Sequence, residues 1–187
     1  MEVMSSKPAS ARKATQVDVV PWGLAALDRL TKGLNSGQLA LFGAHPGVGR
    51  SALALRMVEA LALERKIPVA LVSLEMTTQQ VLVRLACSHA RIDLLQLYLG
   101  KGSGKTQEKF TQTLTELSRA PFQVFATPRM TVAELNLEAH RILVRTHNRL
   151  LIVDGLHLLA PENPLTAGDV AKWRPAIAKG VSNWPGI

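Results

Sequence analysis

The sequence predicts an α/β fold in three layers, with helices covering both faces of a mostly parallel sheet. Three observations lead there. Short apolar runs alternate with longer helix-forming stretches along most of the chain, the pattern of a parallel sheet with crossover helices. Those runs are continuous rather than alternating, as in Pro68–Leu74 (PVALVSL) and Leu150–Val153 (LLIV), which suits strands covered on both faces. A glycine-punctuated loop sits between the first apolar run and the first long helix.

Taken in order, Met1 to Gln16 is small, polar and basic and reads as a disordered tail. Val17 to Pro21 reads as a short extended piece. Leu24, Leu27 and Leu30 stand at helical spacing, and Gly33 and Gly37 then punctuate a turn. Leu39 to Phe42 is expected to be the first strand. Ser51 to Arg65 is apolar on nearly every face and is expected to be a helix lying against the sheet. Pro68–Leu74 is the second strand. Thr77-Thr78-Gln79-Gln80 has the form of a capping box, starting a helix to about Ala90. Arg91 to Ser118 is helical around a second glycine loop. Phe122–Ala126 is a third strand, Thr131 to Glu134 another capping box opening a helix to about His147, and Leu150–Val153 a fourth strand. One domain is expected over 17–160. Residues 161–187, interrupted by Pro161, Pro164, Pro175 and Pro185, are expected to form an irregular or partly helical tail.

Composition narrows the classes. With 187 residues, 47% hydrophobic and 19% charged, the chain can bury one core, and disorder throughout is excluded. The net charge of +8 favours an anionic partner such as nucleic acid. Cys87 is alone, so an internal disulfide and a cysteine-type metal site are excluded, and a reducing cytoplasmic setting fits. No apolar run approaches the ~20 residues that span a bilayer.

The chemistry centres on Ala44-His45-Pro46-Gly47-Val48-Gly49-Arg50-Ser51. Strand, glycine loop and helix is the layout of a phosphate-binding loop. Its backbone N–H groups and the helix start face a polyphosphate, a cation meets the terminal phosphates, and a hydroxyl ligates Mg²⁺. Gly49 and Ser51 fit the consensus G-x-x-x-x-G-K-[ST]. Ala44 stands at its first position and Arg50 at the lysine position. Arg50 is still a cation, although its planar fork does not replace an ammonium like for like. A second candidate, Gly100 to Thr106, keeps the Gly-Ser-Gly-Lys-Thr ending, but its spacing is one short and no clear strand precedes it. Glu75 and Asp154 each end an apolar run, where ligands of α/β sheets sit. Asp154 would hold Mg²⁺ and Glu75 would orient or deprotonate an attacking water. The blander readings are a first-turn acid for Glu75, a turn residue for Asp154, and ordinary exposed polar side chains for His45 and His157.

Over about Trp22 to Leu159 the chain resembles the ATPase domain of DnaB-like replicative helicases, within the RecA-like superfamily. The residues carrying the likeness are Gly23 with Leu27-Asp28, Gly33-Leu34 and Gly37, the loop Ala44 to Ser51, Ser73-Leu74-Glu75-Met76 with Gln80 and Arg84, Thr127-Pro128, and Leu150 to Asp154. The resemblance implies a RecA-like phosphate-loop domain that binds ATP and Mg²⁺ and belongs to a ring-forming homo-oligomer. Such rings translocate on single-stranded DNA during replication. By the same likeness Ser51 and Asp154 handle Mg²⁺ and Glu75 is the catalytic carboxylate, with Arg50 beside it. His157 stands where the family has a nucleotide-sensing glutamine. Arg50, Gly155 and His157 depart from the family pattern, and with no apolar strand legible after Leu159 the chain reads as a shortened or degenerate member, or as a fragment of a longer protein. On that ground a module that binds nucleotide or a partner without hydrolysis is the rival expectation.

Overall fold

The computed structural model describes residues 19–146 and 148–159. The expectations for the basic tail and for residues 161–187 therefore fall outside the described residues.

The elements in chain order are β1 (Val19–Val20), α1 (Ala25–Thr31), β2 (Leu34–Asn35), α2 (Arg50–Val58) continuing into a π-helical stretch (Glu59–Glu64), β3 (Val69–Ser73), α3 (Thr78–Ala90), α4 (Leu94–Tyr98), α5 (Gly104–Arg119), β4 (Phe122–Ala126), α6 (Val132–Thr146), β5 (Leu150–Asp154) and a 3₁₀ turn (Leu156–Leu158). β1 and β2 form a small antiparallel pair. The main sheet among the described residues is parallel, in the order β4-β3-β5.

β3 is central, and every one of its residues is buried. Its side chains alternate between two cores. Val69 and Leu71 face a cluster with Leu55, Val58, Leu61, Val81, Leu85 and Leu117 from α2, its π-helical continuation, α3 and α5. Ala70 and Val72 face the opposite cluster with Met130, Val132, Leu135 and Ile142, at and along α6. Two cores on the two faces of one strand make the three layers, and they explain why that stretch is apolar throughout.

Both expected capping boxes form. Thr77 N–H donates to Gln80 Oε1 at 2.9 Å while Gln80 N–H donates to Thr77 Oγ1 at 3.2 Å. At α6, Thr131 N–H donates to Glu134 Oε2 at 2.8 Å and Glu134 N–H to Thr131 Oγ1 at 3.2 Å. Those bonds satisfy amide groups that the first helical turn leaves open.

Two expectations are corrected. Leu39–Phe42 is not a strand. Among the described residues no strand pairs with it, and without a hydrogen-bonding neighbour an apolar run cannot register as sheet. Ala40 packs against the core, but Leu39 and Leu41 are 54% and 60% exposed. Phe42 is held edge-on against Trp22 at 5.4 Å. The helix expected over Ser51–Arg65 does form, but its second half changes from α to π winding at Glu59.

Candidate nucleotide site

The phosphate-loop candidate begins where Leu39–Phe42 leaves the core. Ala44 to Gly49 are exposed, and the His45 carbonyl accepts from Val48 N–H at 3.4 Å to close a turn. Gly49 takes φ +102° as the residue before α2, a left-handed geometry that only glycine adopts without strain, and its carbonyl accepts from Leu53 N–H at 2.9 Å. The loop thus leads straight into the amino end of α2, with Arg50 and Ser51 on its first turn. Its backbone offers the open N–H groups of a helix start.

The register of the sheet delivers the two acids. Ser73 pairs with Asp154 across β3 and β5, and Leu74 N–H donates to the Asp154 carbonyl at 2.9 Å. Ser73 Oγ accepts from Met76 N–H at 3.1 Å and turns the chain so that Glu75 comes back over the strand end. Gly155, at φ +87°, turns the chain after β5 into the 3₁₀ turn carrying His157.

The result is a compact set of contacts. Ser51 Oγ lies 3.1 Å from Asp154 Oδ1 and 3.2 Å from Glu75 Oε2. Arg50 Nη2 lies 3.8 Å from Glu75 Oε1, and His157 Nε2 lies 3.7 Å from the same oxygen. Of the residues expected from sequence, Arg50, Ser51, Glu75, Asp154 and His157 are brought together, and Ala44 to Gly49 form the loop beside them.

The electrostatics are those of a site short of positive charge. One hydroxyl proton on Ser51 cannot serve two carboxylates at once. Asp154 is buried, and among the described residues its Oδ2 has no hydrogen-bond partner. Burial pushes the Asp154 carboxyl above its ordinary range and Glu75 adds to the rise, while the Ser51 hydrogen bond, Arg50 and His157 act the other way. A hydroxyl and a half-satisfied carboxylate are hard oxygen donors, the set that suits Mg²⁺ when the remaining ligands come from phosphate and water. Among the described residues no group of three or more His, Cys, Asp or Glu side chains forms a protein-only metal site.

The second glycine loop does something else. Ser103 Oγ accepts from Thr106 N–H at 3.3 Å and caps α5, so Gly104, Lys105 and Thr106 are its first turn. Helix α4, not a strand, precedes it. A feature not anticipated from sequence lies on the α2–α3 side. Glu59 is buried and accepts from Ser88 Oγ at 3.0 Å, with His89 Nδ1 at 3.1 Å. An open cavity of about 450 Å³ there is lined by Arg56, Glu59, Glu64, Ser88, His89 and Arg91, none of them among the expected site residues.

With the geometry in place, comparison with known proteins is decisive for family. The model of the DnaB-like helicase C-terminal domain matches residues 19–174. The chain belongs to that family. It is 30% identical over 151 residues to the replicative DNA helicase DnaB of Leifsonia xyli subsp. xyli, covering 81% of this chain and 33% of that protein. To the DnaB of Treponema pallidum it is 31% identical over 142 residues, covering 76% and 32%. The chain thus spans about a third of the length of these relatives. Among solved structures, a DnaB-like replicative helicase described with its primase interactions superimposes with a TM-score of 0.78 at 20% identity, over 90% of this chain and 42% of that one. A second solved structure, of an ATPase domain, gives the same score and identity over 91% and 62%. These likenesses establish the RecA-like fold for this member of the DnaB-like family. Among the described residues no helix is long and apolar enough to cross a membrane.

Proposed function

We propose that this chain is the nucleotide-binding domain, over 17–160, of a replicative DNA helicase, and that it takes part in coupling ATP hydrolysis to translocation on single-stranded DNA within a ring of like subunits. The observation that carries the reading is the meeting of Ser51 with Asp154 at 3.1 Å and Glu75 at 3.2 Å beside a glycine loop. Three residues far apart in sequence converge where a helix start, an acid for a metal and an acid for water are all needed.

The chain's own groups divide the work. The backbone from Ala44 to Gly49 and the amino end of α2 hold phosphates. Arg50 meets the terminal phosphate oxygens. Ser51 and Asp154 hold Mg²⁺, which when bound offsets the charge on those oxygens. Glu75 accepts the proton of the attacking water, and His157, 3.7 Å from Glu75, lies close enough to register what Glu75 touches. Single-stranded DNA fits the net charge of +8.

Calorimetric titration of Mg·ATP into the full chain tests this, with Asp154→Ala alongside. The expected result is saturable binding by the wild type and a loss of about tenfold or more in the variant, ~1.4 kcal/mol. A folded wild type that takes up no Mg·ATP overturns the reading. A second reading, a module that binds nucleotide without hydrolysing it, is favoured by Arg50 standing against Glu75. It predicts saturable binding with no phosphate release, with or without DNA.

A further inference from the structure

Glu75 is the most heavily engaged side chain of the site, and its partners are the groups a nucleotide would need. Oε2 is 3.2 Å from the Ser51 hydroxyl, and Oε1 is 3.8 Å from Arg50 Nη2 and 3.7 Å from His157 Nε2. The phosphate-contacting cation and the metal-contacting hydroxyl are therefore turned onto the chain's own carboxylate. The Arg50 fork reaches further than a compact ammonium and makes this contact possible from the first turn of α2.

Gly155 shapes the same contact from the other side. A Cβ placed there would stand 2.8 Å from Glu75 Cγ, 3.3 Å from Glu75 N and 3.3 Å from Leu74 Cβ. Its φ of +87° adds backbone strain for any other residue. Only glycine at this position leaves Glu75 room to lie across the end of β5 toward Ser51 and Arg50.

Resting on the nucleotide-site reading above, we infer that Glu75 and Arg50 form a latch across the phosphate loop, that Gly155 seats it, and that nucleotide binding must open it. Gly155 acts through Glu75 and is a positioning residue. Opening frees Arg50 for phosphate and leaves Glu75 facing the water it activates. A bound phosphate would thus arm the carboxylate and unlock the loop in one movement. Because the pair is about one-third exposed on each side, the latch is weak. It biases the site and does not block it.

Two measurements on the full chain test this, on wild type, Glu75→Gln and Gly155→Ala. The first needs no nucleotide: the rate at which phenylglyoxal modifies Arg50, read by peptide mass spectrometry against Arg119 in the same digest. The second is the affinity for Mg·AMP-PNP by calorimetry, a non-hydrolysable probe that separates binding from turnover. Both variants are expected to expose Arg50 about two- to fivefold more, the span of a weak surface ion pair. The affinity of Glu75→Gln should tighten by a similar factor, since less of the protein is held closed. Unchanged Arg50 reactivity in both variants overturns the latch. Faster modification of Arg50 with unchanged AMP-PNP affinity overturns its role in opposing nucleotide. Faster modification with no binding by any of the three proteins leaves the Arg50–Glu75 contact standing and overturns the nucleotide reading. Glu75 is exposed, so Glu75→Gln remains informative if Gly155→Ala fails to fold.

Discussion

Asp154 shows how a position proposed to hold a metal opposes stability. Its carboxyl is driven above the usual range, by burial first, with the Ser51 hydrogen bond pulling against that and Glu75 reinforcing it. A carboxyl raised in the folded state favours the native fold while it is protonated and loses that favour as pH rises through the folded value. At neutral pH the raised carboxyl therefore weakens the fold. Asp154→Asn is expected to raise the melting temperature at pH 7 by about 2–4 °C, the response to ~1 kcal/mol in a chain of this size. The difference should shrink as pH falls from the raised value through the ordinary carboxylate range and vanish below it, where Asp154 is protonated folded and unfolded alike. Circular dichroism melts across pH check both parts. A gain that persists in acid would mean Asn stabilises by packing instead. Cys87 is the opposite sort of residue: burial, and then Asp93, push its thiol up, as for an inert core cysteine.

The elements differ in how firmly local sequence specifies them. Helix α3 has its start written into Thr77 and Gln80, and both bonds of the box are made. Thr77→Ala is expected to cost about 1 kcal/mol in urea unfolding. It should leave Mg·ATP affinity unchanged, because Thr77 lies outside the proposed phosphate loop. The π-helical stretch Glu59–Glu64 is another matter. Its first five residues are buried, Glu59 is bound by Ser88 and His89 of α3, and Ile67 N–H reaches back to the Leu61 carbonyl at 2.9 Å. Glu59→Ala removes a buried carboxylate that accepts from Ser88 and lies against His89, and is expected to cost about 1.5–3 kcal/mol, the range for hydrogen bonds to a charged group. Equilibrium unfolding of the two variants side by side would check the ordering, which reverses if α3 holds its place without Glu59.

Across the whole molecule, β3 is the spine. It supplies alternate side chains to both cores, and its carboxyl end carries Glu75 beside Asp154. The chain is basic overall, and the proposed partner is a polyanion. If single-stranded DNA binds chiefly through its phosphates, anisotropy of a labelled oligothymidine should report an affinity that falls roughly twentyfold between about 50 and 200 mM salt, the response to neutralising about three phosphates. An affinity indifferent to salt would remove the electrostatic basis for that partner. Leu39 and Leu41 are exposed apolar side chains on a segment that no described strand pairs.

Local sequence was enough for the parallel strands: β3, covered on both faces, is apolar up to Ser73, and the half-buried β4 and β5 beside it are still mostly apolar. The expected Pro68–Leu74, Phe122–Ala126 and Leu150–Val153 became Val69–Ser73, Phe122–Ala126 and Leu150–Asp154. It was enough for both capped helix starts, whose signals span four residues, and it nominated the glycine loop and the two acids through their positions after apolar runs. The remainder came from tertiary structure. Leu39–Phe42 reads as apolar in either state, and whether it is strand depends on a neighbour that local sequence does not show. The change from α to π winding at Glu59 has no signal in the local pattern, and the partners Glu59 meets on α3, 29 and 30 residues away, are brought to it only by packing. The closeness of Ser51 to Asp154, 103 residues apart, and the fit of Glu75 against Gly155 follow from the sheet register, which no local pattern encodes.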